Sequence, residues 1–95
     1  MATFLMLGRY SAEGRRSITA ARTQQAKQTI RELGGETKSI HALLGEHDLV
    51  IIVELPDLDK ALLASLALAR LTGVTFSTYP AYTAEQFDQL MNTAG

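Results

Sequence analysis

The stretch LVIIVELPDLDKALLASLALARLTGVTFSTYPAY, residues 49–82, decides the fold. Leu49, Ile51, Val53 and Leu55 alternate with Val50, Ile52 and Glu54, which is the two-residue period of a strand. Asp57 then offers an N-cap and Gly73 a stop, so the apolar run between Leu58 and Thr72 is expected to be a helix. Val74 to Tyr82 returns to strand composition. Working outward, the first half of the chain repeats this order: Thr3 to Tyr10 is expected as a strand, Ile18 to Leu33 as a helix and Glu36 to Leu44 as a strand. The polar segment Ser11 to Arg16 is read as a loop, with Ser17 as the N-cap of the first helix. Gly45, Glu46, His47 and Asp48 close a hairpin between strands two and three. The plan is βαββαβ in the α+β class, and Thr83 with Gln86, at capping-box spacing, starts a further helix near the C-terminus.

The faces of these elements say what must cover them. Phe4, Met6, Gly8 and Tyr10 form one face of the first strand and Thr3, Leu5, Leu7 and Arg9 the other. Both faces are largely apolar, as are both faces of strand three, which a sheet with one wet side would not show. Helices cover only one side of a four-stranded sheet of this plan, so a second copy of the chain is expected on the other. In the first helix Thr19, Thr23, Ala26, Ile30 and Leu33 make a narrow core stripe, and Gly34 and Gly35 end it by adopting the left-handed conformation. The second helix is apolar on two sides: Leu58, Leu62, Ser65 and Ala69 lie on one, Leu63, Ala67 and Leu71 on the opposite one. The outer residues are expected to be covered by the C-terminal helix, whose apolar side is Phe87, Leu90 and Met91, or by a neighbouring subunit.

Composition limits the functions open to the chain. Its 95 residues are expected to form a single domain, residues 1–95. Nine basic residues against ten acidic ones leave a formal charge of -1, which supplies no electrostatic footprint for nucleic acid or an anionic membrane. Arg15 and Arg16 are too short a basic run to form one. There is no cysteine, which removes disulfides, thiolate nucleophiles and sulfur ligands. Ala2 to Leu7 is too short for an export signal and lacks a basic region before it, so a cytoplasmic protein is expected. No apolar run reaches spanning length. Gly8 and Gly14 match neither nucleotide-binding fingerprint, and two histidines, one of them in a turn, do not make a three-ligand metal site. Neither a metal nor a cofactor is expected.

The opening strand MATFLMLGRY, the LGGE turn at Leu33 to Glu36, the block GEHDLVIIVELPD from Gly45 to Asp57 and the LTG at Leu71 to Gly73 resemble the GYD family of small bacterial proteins. The family signature is Gly-x-Tyr-Asp, and here it stands as Gly45, Glu46, His47 and Asp48, with histidine in the tyrosine's place. The resemblance implies a ferredoxin-like subunit with a four-stranded antiparallel sheet plus a C-terminal helix, paired into a dimeric α+β barrel. It implies no particular activity, because related barrels include cofactor-free oxygenases, lactone isomerases and regulatory ligand-binding modules.

Candidate site residues follow from strand parity. If strands one and three are central neighbours running parallel, Arg9 and Glu54 share a face and a strand end. In a regular hairpin around residues 45–48, Ser39 falls opposite Glu54 and His41 opposite Ile52. Thr75, Ser77 and Tyr79 carry the polar parity of the last strand. Arg9, Ser39, His41, Glu54, Ser77 and Tyr79 are therefore the candidates to line one chamber. The plain alternatives are a cross-strand ion pair for Arg9 with Glu54, a hydrogen-bonded interface residue for His41, and packed rings with hydroxyls at the rim for Tyr10, Tyr79 and Tyr82. The leading expectation is a homodimer, or higher homo-oligomer, that binds a small molecule or acts as a regulatory module, with no nucleic-acid or membrane partner. The alternatives are a cofactor-free oxygenase or isomerase acting on a small cyclic or phenolic substrate, with His41, Glu54 or Tyr79 moving the proton, and an assembly subunit with no ligand.

Overall fold

A computed structural model of the chain describes residues 1–16 and 18–94. The elements run β1 (Ala2–Tyr10), α1 (Ala12–Arg16), α2 (Ala20–Glu32), β2 (Glu36–Ala42), β3 (Leu49–Leu55), α3 (Leu58–Thr72), β4 (Val74–Ala81) and α4 (Ala84–Ala94). The four strands form one sheet in the order β2-β3-β1-β4, and every neighbouring pair is antiparallel. This confirms the α+β plan and corrects the direction expected for β1 and β3. The crossover through α2 makes β2 parallel to β1, but the hairpin reverses the chain before β3 enters between them. Hence β3 runs against β1, with Thr3 opposite Glu54 and Gly8 opposite Leu49.

The helix ends follow the expected chemistry with two differences. Asp57 caps α3 by accepting from the Lys60 N–H at 2.9 Å, and Gly73 closes it at φ 69° with its own N–H donated to the Ala69 carbonyl. The reciprocal capping box forms at Thr83 and Gln86. Ser17 lies outside the described residues. Thr19 caps α2, its hydroxyl accepting from the Arg22 N–H at 3.0 Å. The segment read as a loop contains α1, whose Gly14 is buried. A Cβ on Gly14 would sit 2.8 Å from the carbonyl oxygens of Thr72 and Gly73, so glycine lets this one-turn helix rest on the end of α3.

The core lies between the sheet and the two long helices. Met6, Ile30, Val53, Leu55 and Leu68 are fully buried within it. On α3 the inward stripe is Ala61, Ala64, Leu68 and Thr72, which is neither of the two faces expected for this helix. Alanines bring the helix axis close to the sheet, and the bulkier side chains are left outside: Leu62 is 62% exposed, and Leu58, Leu63, Leu66 and Leu71 are exposed as well. The C-terminal helix does not cover them. Within the chain α4 buries no residue, and its Phe87 is 55% exposed with Leu90 and Met91 beside it in the same state. Of the two covers expected for the α3 leucines, the one within the same chain is therefore absent. Among the described residues, no helix is long and apolar enough to cross a membrane.

Candidate functional site

The sheet face turned away from the helices carries all six predicted residues, arranged as a frame. Strand register sets them in rows. Ser39 on β2, Ile52 on β3, Leu5 on β1 and Tyr79 on β4 make one row, and His41, Val50, Leu7 and Ser77 make the next. A row beyond the first holds Glu36, Glu54, Thr3 and Ala81, and Arg9 lies past the second, opposite Thr75. The middle of the face is thus Leu5, Leu7, Val50 and Ile52. Polar groups stand at its edges, with Ser39 and His41 on one flank and Ser77 and Tyr79 on the other.

The expected neighbours across the hairpin are displaced. Ser39 faces Ile52 and His41 faces Val50, with a bulge between Thr37 and Ser39. From Ser39 to Ala42 the offset from the regular hairpin is two residues, and this even slip leaves Ser39 and His41 on their expected face; past the bulge it is three, which turns Thr37 to the side of Val53 and Glu36 to the side of Glu54. Arg9 and Glu54, expected side by side, stand at opposite ends of the sheet, because antiparallel pairing places Glu54 across from Thr3. Six residues of strand separate Thr3 from Arg9, roughly 20 Å. Each charge has another partner: Arg9 donates to Glu46 at 2.8 Å, and Lys38 lies 3.9 Å from Glu54 and 3.8 Å from Glu36. These pairs are largely exposed, so each contributes about 1 kcal/mol at most. His41 and Tyr79 lie on opposite edge strands, three strand spacings or about 14 Å apart. One chain therefore does not bring His41, Glu54 and Tyr79 around a common reacting atom.

The turn at Gly45 to Asp48 has a structural role. Its aspartate accepts from the Tyr10 backbone N–H at 2.9 Å through Oδ2, and its own N–H donates to the Gly8 carbonyl at 2.8 Å. Arg15 approaches the same carboxylate at 3.9 Å. Asp48 thereby carries the β1–β3 pairing past the end of β3 and fixes the turn against β1. Among the described residues there is no His, Cys, Asp and Glu cluster that could hold a metal ion. Asp48→Ala leaves the Tyr10 N–H without its acceptor in a half-buried position, which costs about 1–3 kcal/mol. Thermal unfolding of the variant should show a lower midpoint, and an unchanged one would remove the structural role.

A second feature lies on the helix side of the sheet, where no site was expected. A cavity of about 130 Å³ opens between α2 and the strands. Its buried walls include Ala26, Ile51, Leu68 and Val74, and Tyr10, Thr23 and Arg22 stand among its polar lining. Arg22 Nη1 donates to the carbonyls of Gly14 at 2.8 Å and Thr72 at 3.0 Å, and the guanidinium carbon lies 5.8 Å from the Tyr10 ring centre. His41 also borders the space, although strand parity assigns its imidazole to the opposite face. A signal for the cavity did exist in the sequence. The α2 stripe is small at its N-terminal end, Thr19, Thr23 and Ala26, and large only at Ile30 and Leu33.

An antiparallel four-stranded sheet with its long helices on one face and an apolar centre on the other places the chain among ferredoxin-like α+β proteins. Within that class, residues 4–91 match the model of the GYD domain, and the chain belongs to the GYD domain family. The solved structure of TTHA0845 from Thermus thermophilus is similar to it at 26% identity and a TM-score of 0.57, over 88% of this chain and 96% of that one. The leucine response regulatory protein LrpA of Mycobacterium tuberculosis shares the fold at 10% identity and a TM-score of 0.58, over 87% of this chain. The chain spans about half of LrpA, 51% of that protein's chain. No curated protein matches the sequence.

Proposed function

We propose that the chain is a single-domain, homodimeric module that binds a small molecule or relays its presence, with two copies packed through their open sheet faces as an α+β barrel. The observation that carries this reading is the apolar centre of that face, where Leu5, Leu7 and Ile52 stay half-exposed around the buried Val50 among the described residues. Water against such a centre is unfavourable, and a second sheet removes it at about 25 cal/mol per Å² of apolar area. An apolar enclosure rimmed by a few polar groups is also the usual composition of a small-molecule site. Arg9, Ser39, His41, Glu54, Ser77 and Tyr79 are the groups available at that rim. Sedimentation equilibrium at micromolar concentration should return twice the 10.3 kDa chain mass, and native mass spectrometry of protein from its own cells should show an added small mass. A stable monomer would overturn the dimer, and a bare dimer would overturn the ligand.

The sheet face alone is small for this purpose. Four strands of seven residues cover roughly 450 Å² in plan, whereas a stable interface needs about 800 Å² per partner. The exposed side of α4, with Phe87, Leu90 and Met91, supplies further apolar area. Because α4 buries nothing within its own chain, removing residues 84–95 should leave the subunit folded and shift the assembly towards smaller species. Melting curves with sedimentation test this, and an unchanged assembly would leave α4 outside the interface.

A further inference from the structure

The geometry points to the helix-side cavity as a second ligand site, built within one chain, for a small carboxylate whose single ring or short branched chain enters between α2 and the sheet while its anionic end meets Arg22. The site lies across the sheet from the proposed dimer interface and does not depend on it.

Size is the first argument. A cavity of about 150 Å³ walled by aliphatic and aromatic side chains holds one benzene ring, and this one measures about 130 Å³. Its floor is dry in character, since Ile51, Leu68 and Val74 are buried side chains without polar atoms. A body of six or seven carbon atoms suits it; a nucleotide or a sugar does not.

Charge is the second. No aspartate or glutamate is among the described residues that line the cavity, and its one fixed charge is the Arg22 guanidinium. That group is held before any ligand arrives. Nη1 is bound to two carbonyls, of Gly14 and Thr72, and the plane lies near the Tyr10 ring. No hydrogen bond from Nε or Nη2 is formed among the described residues. A guanidinium fixed on one side with donors left over suits a carboxylate, and little side-chain freedom is lost when one binds. The Gly14 and Thr72 carbonyls on Nη1, the latter at the negative C-terminal end of α3, leave one guanidinium charge to be matched and repel any further negative charge. A monoanion is therefore favoured over a dianion.

The test uses the unmodified full-length protein and three probes of one size: benzoate, benzamide and benzylammonium, followed by amide chemical shifts. Benzoate should bind about tenfold or more tightly than benzamide, as expected for one charge-assisted contact, and benzylammonium should not bind. The shifts should cluster at Tyr10, Thr23, Ile51 and Leu68. Equal binding of the three probes, no binding of benzoate, or shifts confined to Leu5, Ser77 and Tyr79 on the open face would each overturn the assignment. Ala26→Leu, which fills the cavity from α2, should abolish benzoate binding in a folded protein, and retained binding would also overturn it. Should that variant fail to fold, the probe series on the unmodified chain decides alone.

Discussion

Replacing Ile52 by aspartate should turn the proposed dimer into a monomer that remains folded. Ile52 occupies the middle of the open face, between Ser39 on one side and Leu5 on the other. In a face-to-face dimer the substitution places two carboxylates, one per copy, in an enclosure of leucine, valine and isoleucine side chains. A buried, unpaired carboxylate costs several kcal/mol even after water penetration or protonation relieves part of it. Two of them raise the dimer dissociation constant by a factor on the order of a thousand or more. In the separated chain the same position is half-exposed, so the aspartate is hydrated and the remaining cost is a weaker strand preference, about 1 kcal/mol. Dissociation without unfolding is the signature. Sedimentation equilibrium reads the first part and the cooperativity of thermal unfolding the second. Leu63→Asp, on the outer side of α3, is the control: it should leave sheet-to-sheet pairing intact. A dimer that survives Ile52→Asp but not Leu63→Asp would move the interface from the sheet to the helices.

The layout of this face was legible in the sequence to an instructive degree. Alternation in β1 and β3 assigned every side chain to its side of the sheet, because a strand has only two sides and the core claims one of them. The distances between residues along that face were not legible. Parity puts Arg9 and Glu54 on one face but not at one end, since the crossover makes β1 parallel to β2 and the hairpin then sets β3 against β1. The two-residue offset in the β2–β3 pairing comes from a loop longer than the four-residue turn, Leu43 to Asp48, and the bulge between Thr37 and Ser39 adds a third residue beyond it. Neither is written in period-two alternation. The α3 helix shows the opposite limit. With leucine and alanine on all sides, periodicity offers no preferred face, and the close approach that alanine permits decides which side packs. The cavity beside Arg22 is hardest to read, because it consists of volume that small side chains on one helix leave unfilled.

The two glycines after α2 show how far one residue type can serve two physical needs, and they yield the other large expected effect. Sequence reading assigned both Gly34 and Gly35 to the left-handed conformation. Only Gly34 adopts it, at φ 84°. Gly35 is required for another reason: a Cβ there would sit 2.5 Å from the Glu54 carbonyl oxygen and 2.5 Å from Leu55 Cδ2. One of these neighbours is main chain in the central strand β3 and cannot yield without disturbing its pairing with β2. Gly35→Ala should therefore cost about 3 kcal/mol by overpacking, and lower the unfolding midpoint on the order of 15 °C for a chain of this size. Gly34→Ala should cost about 1 kcal/mol, the usual penalty for a side chain in that conformation. Gly45, the glycine of the family signature, gives the contrast. It has no positive φ and no atom within 4 Å of an added Cβ, so Gly45→Ala should change the stability of the single chain by less than about 0.5 kcal/mol. The midpoints should fall in the order Gly35→Ala, Gly34→Ala, Gly45→Ala, with the first lowest. If Gly45→Ala instead lowers the midpoint in a concentration-dependent way, the space around it is occupied by the second copy, and the signature turn belongs to the dimer interface.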